Sequence, residues 1–421
     1  MWKNYKSKDI YFLNLLIIII YCIVLANLKI NISDQIMFST PDSQEYLNVS
    51  NEIFNFSVTE LSDKRPFLYP LLIMLSYKPM GVFGLWGLQF LFWLVSINLI
   101  YLSVKRITGN RKISLTASLI IALNLSYLAL TLHGLTEVTT IFLLSLLIFF
   151  ISFNIDKKHT LFFLHVCLLL VSLLTVVKPL FFIPAILVLF VILPIFYLKQ
   201  YISRPQYLTW LVISIAPLFF QMTIMKAKHG SFSISNIGST TFRAYILTQG
   251  LYKNNYSVLN KPSYYEVQKK ALNLSSMEAA SYILKNKTIF LNLYFNNIKE
   301  NINASPTFLL FPKDFGHELF ARYMKNVNRI YYYFHILFFL PVVLSIFSVL
   351  RRKETEWLVL MVFSSFLTYY ILLSSGISFW QGDRLVISSL PIWIFLYSLV
   401  LKYIFDKEKK CIMAGYCNCR K

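Results

Sequence analysis

The sequence predicts an all-α polytopic membrane protein with about ten transmembrane helices, and three observations carry that expectation. The 421 residues are 57% hydrophobic and only 14% charged, with a mean hydropathy of +0.60. Apolar runs of about 20 residues recur along the chain, the length that crosses a hydrocarbon core of about 30 Å. Short Lys/Arg clusters separate these runs, and alternate crossing puts every such cluster on one side. A β-barrel would instead show short segments of alternating polarity. The net charge of +21 lies largely in these clusters, which is the positive-inside pattern and argues against a nucleic-acid partner. A remainder of the excess falls between Lys226 and Arg329.

Taken in order, Lys3, Lys6 and Lys8 precede the apolar run Ile10 to Leu28. The run is long and no A-x-A site follows, so it reads as an uncleaved anchor with its N-terminus in the cytoplasm. The loop 29–83 is then outside. It holds Asp34, Asp42, Glu45, Glu52, Glu60 and Asp63 out of only 19 acidic residues in the chain. Gly84 to Val104 returns to Lys105, Arg106, Arg111 and Lys112. Ile113 to Leu132 goes out to a turn at His133-Gly134, and Val138 to Ile155 comes back to Lys157 and Lys158. Leu161 to Val177, Leu180 to Leu198 and Tyr207 to Met225 follow, then a long outer loop, then Ile330 to Leu350, Trp357 to Ser375 and Leu385 to Ile404.

This divides the chain into an N-terminal transmembrane catalytic module (1–226), an extracytoplasmic loop (227–328), C-terminal transmembrane helices (329–405) and a basic cytoplasmic tail (406–421). In the long loop, Ala279, Tyr282, Ile283, Phe290, Leu293 and Ile298 are spaced three and four apart. That spacing predicts amphipathic helices on the outer face around 276–299. Cys22 and Cys167 read as small buried hydrophobes within spans, and Cys411, Cys417 and Cys419 as part of a solvated tail.

The chemistry-bearing residues begin at Thr40 to Phe54, TPDSQEYLNVSNEIF. Pro41 suits the first helical position with Thr40 as N-cap. At about 100° per residue, Asp42 then shares the packed face with Tyr46, Val49 and Ile53, flanked by Glu45 and Glu52. Two readings fit. Asp42 and Glu45 form a D-x-x-E capping box, a structural device. Alternatively, Asp42 is an oriented, ionised carboxylate suited to general-base work. Downstream, Lys64-Arg65-Pro66-Phe67-Leu68-Tyr69-Pro70 offers a guanidinium that can fork a phosphate, or an interfacial Arg–Tyr anchor.

Asp42-Ser43-Gln44-Glu45-Tyr46-Leu47 followed by Arg65-Pro66-Phe67-Leu68-Tyr69-Pro70-Leu71-Leu72 resembles the bacterial polyprenyl-phosphate-sugar glycosyltransferases of the GT-C fold. These are relatives of the protein O-mannosyltransferases and of the aminoarabinose transferases that modify lipid A. The resemblance covers about the first 180 residues; beyond them only the layout is similar. It implies a GT-C type fold, a donor sugar on a polyprenyl-phosphate carrier, and an acceptor hydroxyl on an envelope glycan, lipid or protein. It also implies that Asp42 is the base that deprotonates the acceptor. Members commonly carry Asp-Glu or Asp-Asp where this chain has Asp42-Ser43, and Glu45 is the residue that could replace the second acid. Some members bind a divalent metal, but the sequence displays no ligand set for one.

Cations must stabilise the anionic leaving group as its charge develops. Arg65, Lys178 and Arg384 all fall on the outer side of the expected topology, with Tyr69 beside Arg65. Lys178 and Arg384 are also positions from which a cation snorkels to the interface. Glu137 in HGLTEV reads either as an acid complementing a helix N-terminus or as acceptor-binding support for Asp42. Asp383 is expected as the charge partner of Arg384. Two rivals remain: a polymerase of lipid-linked repeat units, with Arg243, Arg322 and Arg329 in its large loop, and, in a different class, a lipid-glycan flippase. Lys-, Asn- and Ile-rich usage points to an AT-rich bacterial genome and so to the inner membrane; a eukaryotic endoplasmic reticulum protein is the alternative.

Overall fold

A computed structural model of the chain describes residues 7–28, 31–55, 63–154, 161–192, 205–254, 263–303, 355–379 and 381–413, together with residues 194, 326 and 343. Among the described residues every regular element is a helix. Those of the first half are α1 (Ser7–Leu28), α2 (Asp34–Met37), α3 (Pro41–Phe54), α4 (Leu68–Thr108), α5 (Arg111–Ala122), α6 (Leu125–Leu130), α7 (Glu137–Asn154), α8 (Leu161–Val177) and α9 (Phe182–Leu187). Then come α10 (Pro205–His229), α11 (Ile237–Phe242), α12 (Thr248–Asn254), α13 (Tyr264–Asn273), α14 (Ser276–Lys285), α15 (Lys287–Asn303), α16 (Thr355–Ser374) and α17 (Leu390–Met413). Among the described residues, five segments are long and apolar enough to cross a membrane: Lys8–Ala26, Leu68–Thr108, Glu137–Asn154, Leu208–His229 and Leu360–Ile377. Apart from residue 343, the expected span Ile330–Leu350 lies outside the described residues, as do Arg322, Arg329, Cys417 and Cys419.

The helices pack because each presents an apolar stripe. On α4, Trp93, Ile97, Ile100 and Val104 follow the three-and-four spacing and are fully buried. They join Ile141, Leu144 and Ile148 of α7 and Leu170, Val171 and Leu174 of α8 in one core. Phe92 stacks on Phe142 with centroids 4.3 Å apart. Buried hydroxyls turn back on their own helices: Ser96 donates to the Phe92 carbonyl at 2.6 Å, Ser103 to Leu99 at 2.6 Å and Thr175 to Val171 at 2.8 Å. Without water, such internal satisfaction is the condition for a polar group to sit in a span.

Three expected elements take a different form. α4 begins at Leu68, well inside the expected outer loop, and its first stretch is helical up to a break at Gly81. There φ is 60° and ψ −151°, a backbone geometry that glycine adopts freely, and Pro79 has just removed a helix donor. The expected span Ile113 to Leu132 is two helices, because Asn124 caps α6 by accepting from the Tyr127 N–H at 3.0 Å. Its apolar composition conceals that cap. The expected span from Leu180 opens with a 3₁₀ turn (Pro179–Phe181) and passes through α9 into a π-helical turn (Val188–Ile192). Cys167 is buried, as expected, but Cys22 is exposed, because α1 packs along one side only.

The ends of the helices are tied. At one end Asp9 of α1 meets Tyr101 and Lys105 of α4 and Arg111 of α5. At the other, the hydroxyls of Tyr21 and Thr131 lie 2.7 Å apart, and the Gly134 N–H donates to the Met37 carbonyl at 2.8 Å. The acidic loop therefore docks on the turn before α7.

The long loop forms a small helical unit over α11 to α15 with its own core of Ile246, Leu247, Leu251, Val267, Ala271, Ala279, Phe290 and Leu293. Its expected amphipathic stretch is two helices that meet at Asn286. The unit grips the segment after α16. Asn301 donates to the carbonyls of Ser375 at 2.9 Å and Ser378 at 2.7 Å, and Asn297 to that of Gly376 at 3.1 Å.

Candidate functional site: charged side chains gathered at one end of the helices

The local sequence sets the first element of the site. Thr40 has extended backbone, Pro41 starts α3, and the cap is a reciprocal pair. The Thr40 hydroxyl accepts from the Ser43 N–H at 3.1 Å, and the Ser43 hydroxyl accepts from the Thr40 N–H at 3.2 Å. This corrects the D-x-x-E capping alternative. Ser43 fills the capping position, and the carboxylates of Asp42 and Glu45 are turned elsewhere. Tyr46 and Val49 on the Asp42 face are buried.

Both oxygens of Asp42 are engaged. Oδ1 accepts from Nη2 of Arg65 at 2.5 Å, and Oδ2 accepts from Nη2 of Arg384 at 2.5 Å. Glu45 Oε2 accepts from Nε of Arg65 at 2.8 Å. The Arg65 guanidinium also lies over the Tyr46 ring, 4.7 Å from its centroid, and Tyr69 meets Tyr46 edge-on at 5.0 Å. Behind this tier, Glu137 Oε1 lies 3.5 Å from Nζ of Lys178 and 3.5 Å from Nε of Arg384. Asp42, Glu45, Arg65, Tyr69, Glu137, Lys178 and Arg384 thus form one continuous set, drawn from α3, the α3–α4 loop, α4, α7, the end of α8 and the turn before α17.

Each cation is aimed by its surroundings. The Arg65 turn is held from α10 and from the residue before α11: the Phe67 N–H donates to Gln221 at 3.0 Å, and the Asn236 N–H to the Asp63 carbonyl at 2.8 Å. Pro179 forces Lys178 into extended backbone, φ −139° and ψ 105°, which ends α8 and turns the lysine toward α7. Arg384 sits in a 3₁₀ turn (Gly382–Leu385) that Gly382 permits with φ 61°. Its neighbour Asp383, expected as its charge partner, accepts a hydrogen bond from Ser126 of α6 at 2.6 Å. Arg384 reaches past it to Asp42 and Glu137.

The burial pattern is uneven. The side chains of Arg65 and Arg384 are each 10% exposed and that of Glu137 is 2% exposed, whereas Asp42 keeps 32%. The carboxylates of Asp42 and, at 41%, Glu45 are therefore the reachable members. Burial pushes the Asp42 carboxyl up, but the Arg384 and Arg65 guanidiniums outweigh it and hold the group well below the usual carboxylate range. Burial likewise opposes the charge on Arg65 and on Arg384. The phenol of Tyr46 with the carboxylates of Asp42 and Glu45, and the carboxylates of Glu137 and Asp42, reverse that and raise each guanidinium above its usual value. The set brings three carboxyl side chains, Asp42, Glu45 and Glu137, against three basic ones, Arg65, Lys178 and Arg384.

Three buried polar atoms of the set, Tyr69 Oη, Glu137 Oε2 and Arg384 Nε, have no hydrogen-bond partner among the described residues. Donors and an acceptor left open in an ion cluster can receive a hydroxyl or a water. Among the described residues no three His, Cys, Asp or Glu side chains gather to hold a metal ion.

Sequence reasoning missed Tyr245. It lies on a π-helical turn (Arg243–Leu247) of the outer unit, close enough for the charges of Asp42, Arg384 and Arg65 to act on its phenol. No local motif marks it, since its place depends on how the outer unit docks. Arg243, weighed for its charge in the large loop, donates to the Leu272 carbonyl at 3.3 Å and to Ser276 Oγ at 3.1 Å, tying α13 to α14. Compared with protein-family models, with curated proteins and with solved structures, the chain matches none of them.

Proposed function

We propose that the chain is an integral membrane glycosyltransferase of GT-C type, inverting, with Asp42 as its base. It takes a sugar from a polyprenyl-phosphate carrier and transfers it to a hydroxyl of a cell-envelope glycan, lipid or protein. About ten membrane passes, cytoplasmic termini and an extracytoplasmic site in a bacterial inner membrane complete the reading. The observation that carries it is the reachable Asp42 carboxylate held between the buried guanidiniums of Arg65 and Arg384.

In the resting site Asp42 is a weak base, because both its oxygens are committed. A donor phosphodiester, itself an anion with two free oxygens, competes for the same guanidinium forks. Its arrival releases one Asp42 oxygen and restores the basicity that the guanidiniums suppress. The acceptor hydroxyl gives its proton to Asp42, and its oxygen forms a bond to the anomeric carbon from the opposite face. The carbon–oxygen bond to phosphate breaks, and its electron pair leaves with the polyprenyl phosphate. The phosphate charge rises from one toward two in that step, so the pull of Arg65, Arg384 and Lys178 is stronger at the transition state than on the bound donor. Glu137 holds Lys178 and Arg384 in place while they trade partners.

The polymerase reading is less well supported, because Arg243 is occupied in packing the outer helices. A flippase wants charges lining a midplane path. Among the described residues, Asp9, Lys105, Arg106 and Glu137 sit at or near helix ends.

The test is transfer from short-chain polyprenyl-phosphate sugars by the purified protein and by Asp42→Asn. Loss of about 10²- to 10⁴-fold is expected, the usual contribution of a general base. Undiminished transfer by Asp42→Asn would overturn the assignment, and movement of intact lipid-linked glycan without transfer would favour the flippase.

A further inference from the structure

Above the charged set stands a wall of different chemistry. Tyr245 accepts a hydrogen bond from Gln381 Nε2 at 3.2 Å and meets the Phe379 ring edge-on at 5.5 Å. Phe379 in turn meets Tyr264 edge-on at 5.9 Å. The buried hydroxyl of Tyr264 has no hydrogen-bond partner among the described residues. Gln381 is three positions before Arg384, and its own N–H donates to Asn301 of the outer unit at 3.2 Å. The wall is neutral and combines phenols, a carboxamide and ring faces. Directly beside it are the cations that suit a phosphate.

The donor proposed above has the same division: a charged phosphate bonded to a neutral polyhydroxyl ring. Phenol and amide groups exchange hydrogen bonds with sugar hydroxyls, and aromatic faces cover the C–H faces of a pyranose or furanose. We infer that Tyr245 and Gln381, backed by Phe379 and Tyr264, form the subsite that recognises the donor's sugar, while Arg65, Arg384 and Lys178 take only its phosphate. This rests on the transferase reading and extends it: the outer helical unit sets sugar specificity. Tyr245 lies on a π-helical turn, an arrangement that recurs at functional positions because it re-aims a side chain. Asn301 and Asn297 fix the loop that presents Gln381, so the two halves of the subsite come from elements far apart in the chain and clamped together.

The experiment compares two probes on the full-length protein in detergent: a short-chain polyprenyl phosphate, and a panel of its hexosyl and pentosyl phosphodiesters. Affinity is measured for wild type, Tyr245→Phe, Tyr245→Ala, Gln381→Ala and Arg384→Gln. Wild type should prefer one or more glycosylated carriers over the bare one. Tyr245→Ala and Gln381→Ala should each reduce that preference about tenfold, the equivalent of one or two neutral hydrogen bonds, and leave bare-carrier affinity within about twofold. Tyr245→Phe should show part of the same loss, and Arg384→Gln should weaken both probes together. Unchanged preference in the Tyr245 and Gln381 variants overturns the inference, as does equal affinity of wild type for all probes; both leave the transferase reading standing. Equal loss for both probes in Tyr245→Ala assigns the residue to structure and also overturns it. Binding of neither probe by wild type removes the transferase reading and the inference together.

Discussion

At one end of α4, Asp9 sits between Lys105 at 3.5 Å and Arg111 at 2.8 Å; at the other, Asp42 sits between Arg65 and Arg384, both at 2.5 Å. The inventories are alike, an acid between two cations, but the burial is reversed. Asp9 is buried, with its side chain 7% exposed, and Arg111 reaches out at 62%. At the Asp42 end the cations are buried and the acid opens outward. The Asp9 group is drawn from the first quarter or so of the chain, α1, α4 and α5, and acts as a clasp between those three helices. The Asp42 group draws on residues up to Arg384 and carries a further tier of Glu45, Glu137 and Lys178. The contrast teaches that an ion pair alone says little. What separates a clasp from a site is which partner is reachable and how much chain is gathered to hold it.

That comparison can be broken in several places. After Asp42→Asn, the largest effect is expected at Arg384. Arg384→Gln removes a donor from the developing phosphate charge and should lower transfer about 10²- to 10³-fold. It also strips Glu137 and Asp42 of a partner, so the thermal unfolding midpoint should be measured beside activity. At the other end, Asp9→Asn should cost about 1–2 kcal/mol of stability, the range for a buried acceptor weakened beside a partly exposed pair. It should leave transfer per folded molecule unchanged; a loss of transfer there would erase the distinction. A smaller effect belongs to the cap. Thr40→Ala should cost about 1 kcal/mol and loosen α3, read as increased hydrogen exchange over the first turn of that helix. Asp42 should keep its guanidinium partners.

The pH profile sharpens the comparison without changing the fold. The carboxyl of Asp42 lies below its unfolded value of about 3.9. Its ion pairs therefore contribute stability above that value, and the contribution is lost only as pH falls through the lower folded value. In wild type the acid limb of kcat/KM due to Asp42 should lie below the mildly acidic range. Arg65→Gln removes one opposing charge while burial still pushes the carboxyl up. The acid limb should then move to higher pH, and a limb that stays fixed would show that Asp42 does not govern the rate.

Much of the arrangement was legible in the sequence, and the reason is physical. Hydropathy places helix ends, and alternate crossing sorts those ends to one of two sides. Arg65, Glu137, Lys178 and Arg384 each border an apolar run, so parity alone brought them to the side of Asp42. Partner identity was not legible. Which of three cations meets Asp42 depends on rotations of α8 and on the 3₁₀ turn at Gly382, neither of which has a local signature. The cap was ambiguous because Thr40-x-x-Ser43 and Asp42-x-x-Glu45 both fit a capping box, and only the observed hydrogen bonds choose between them. The break at Asn124 was hidden by apolar neighbours on both sides. Tyr245 was invisible, because nothing short-range says where a docked helical unit will place one of many tyrosines.

The most direct measurement pairs the two aspartates in one assay. Wild type, Asp42→Asn and Asp9→Asn are purified alike, and transfer from a short-chain polyprenyl-phosphate sugar is recorded with the thermal unfolding midpoint of each. The account predicts that Asp42→Asn loses transfer per folded molecule by about two orders of magnitude or more, with a lowered midpoint because the buried Arg65 and Arg384 lose their counter-charge. It predicts that Asp9→Asn has a lowered midpoint and retains transfer per folded molecule. The reverse pattern, activity surviving in Asp42→Asn and vanishing in folded Asp9→Asn, would contradict it.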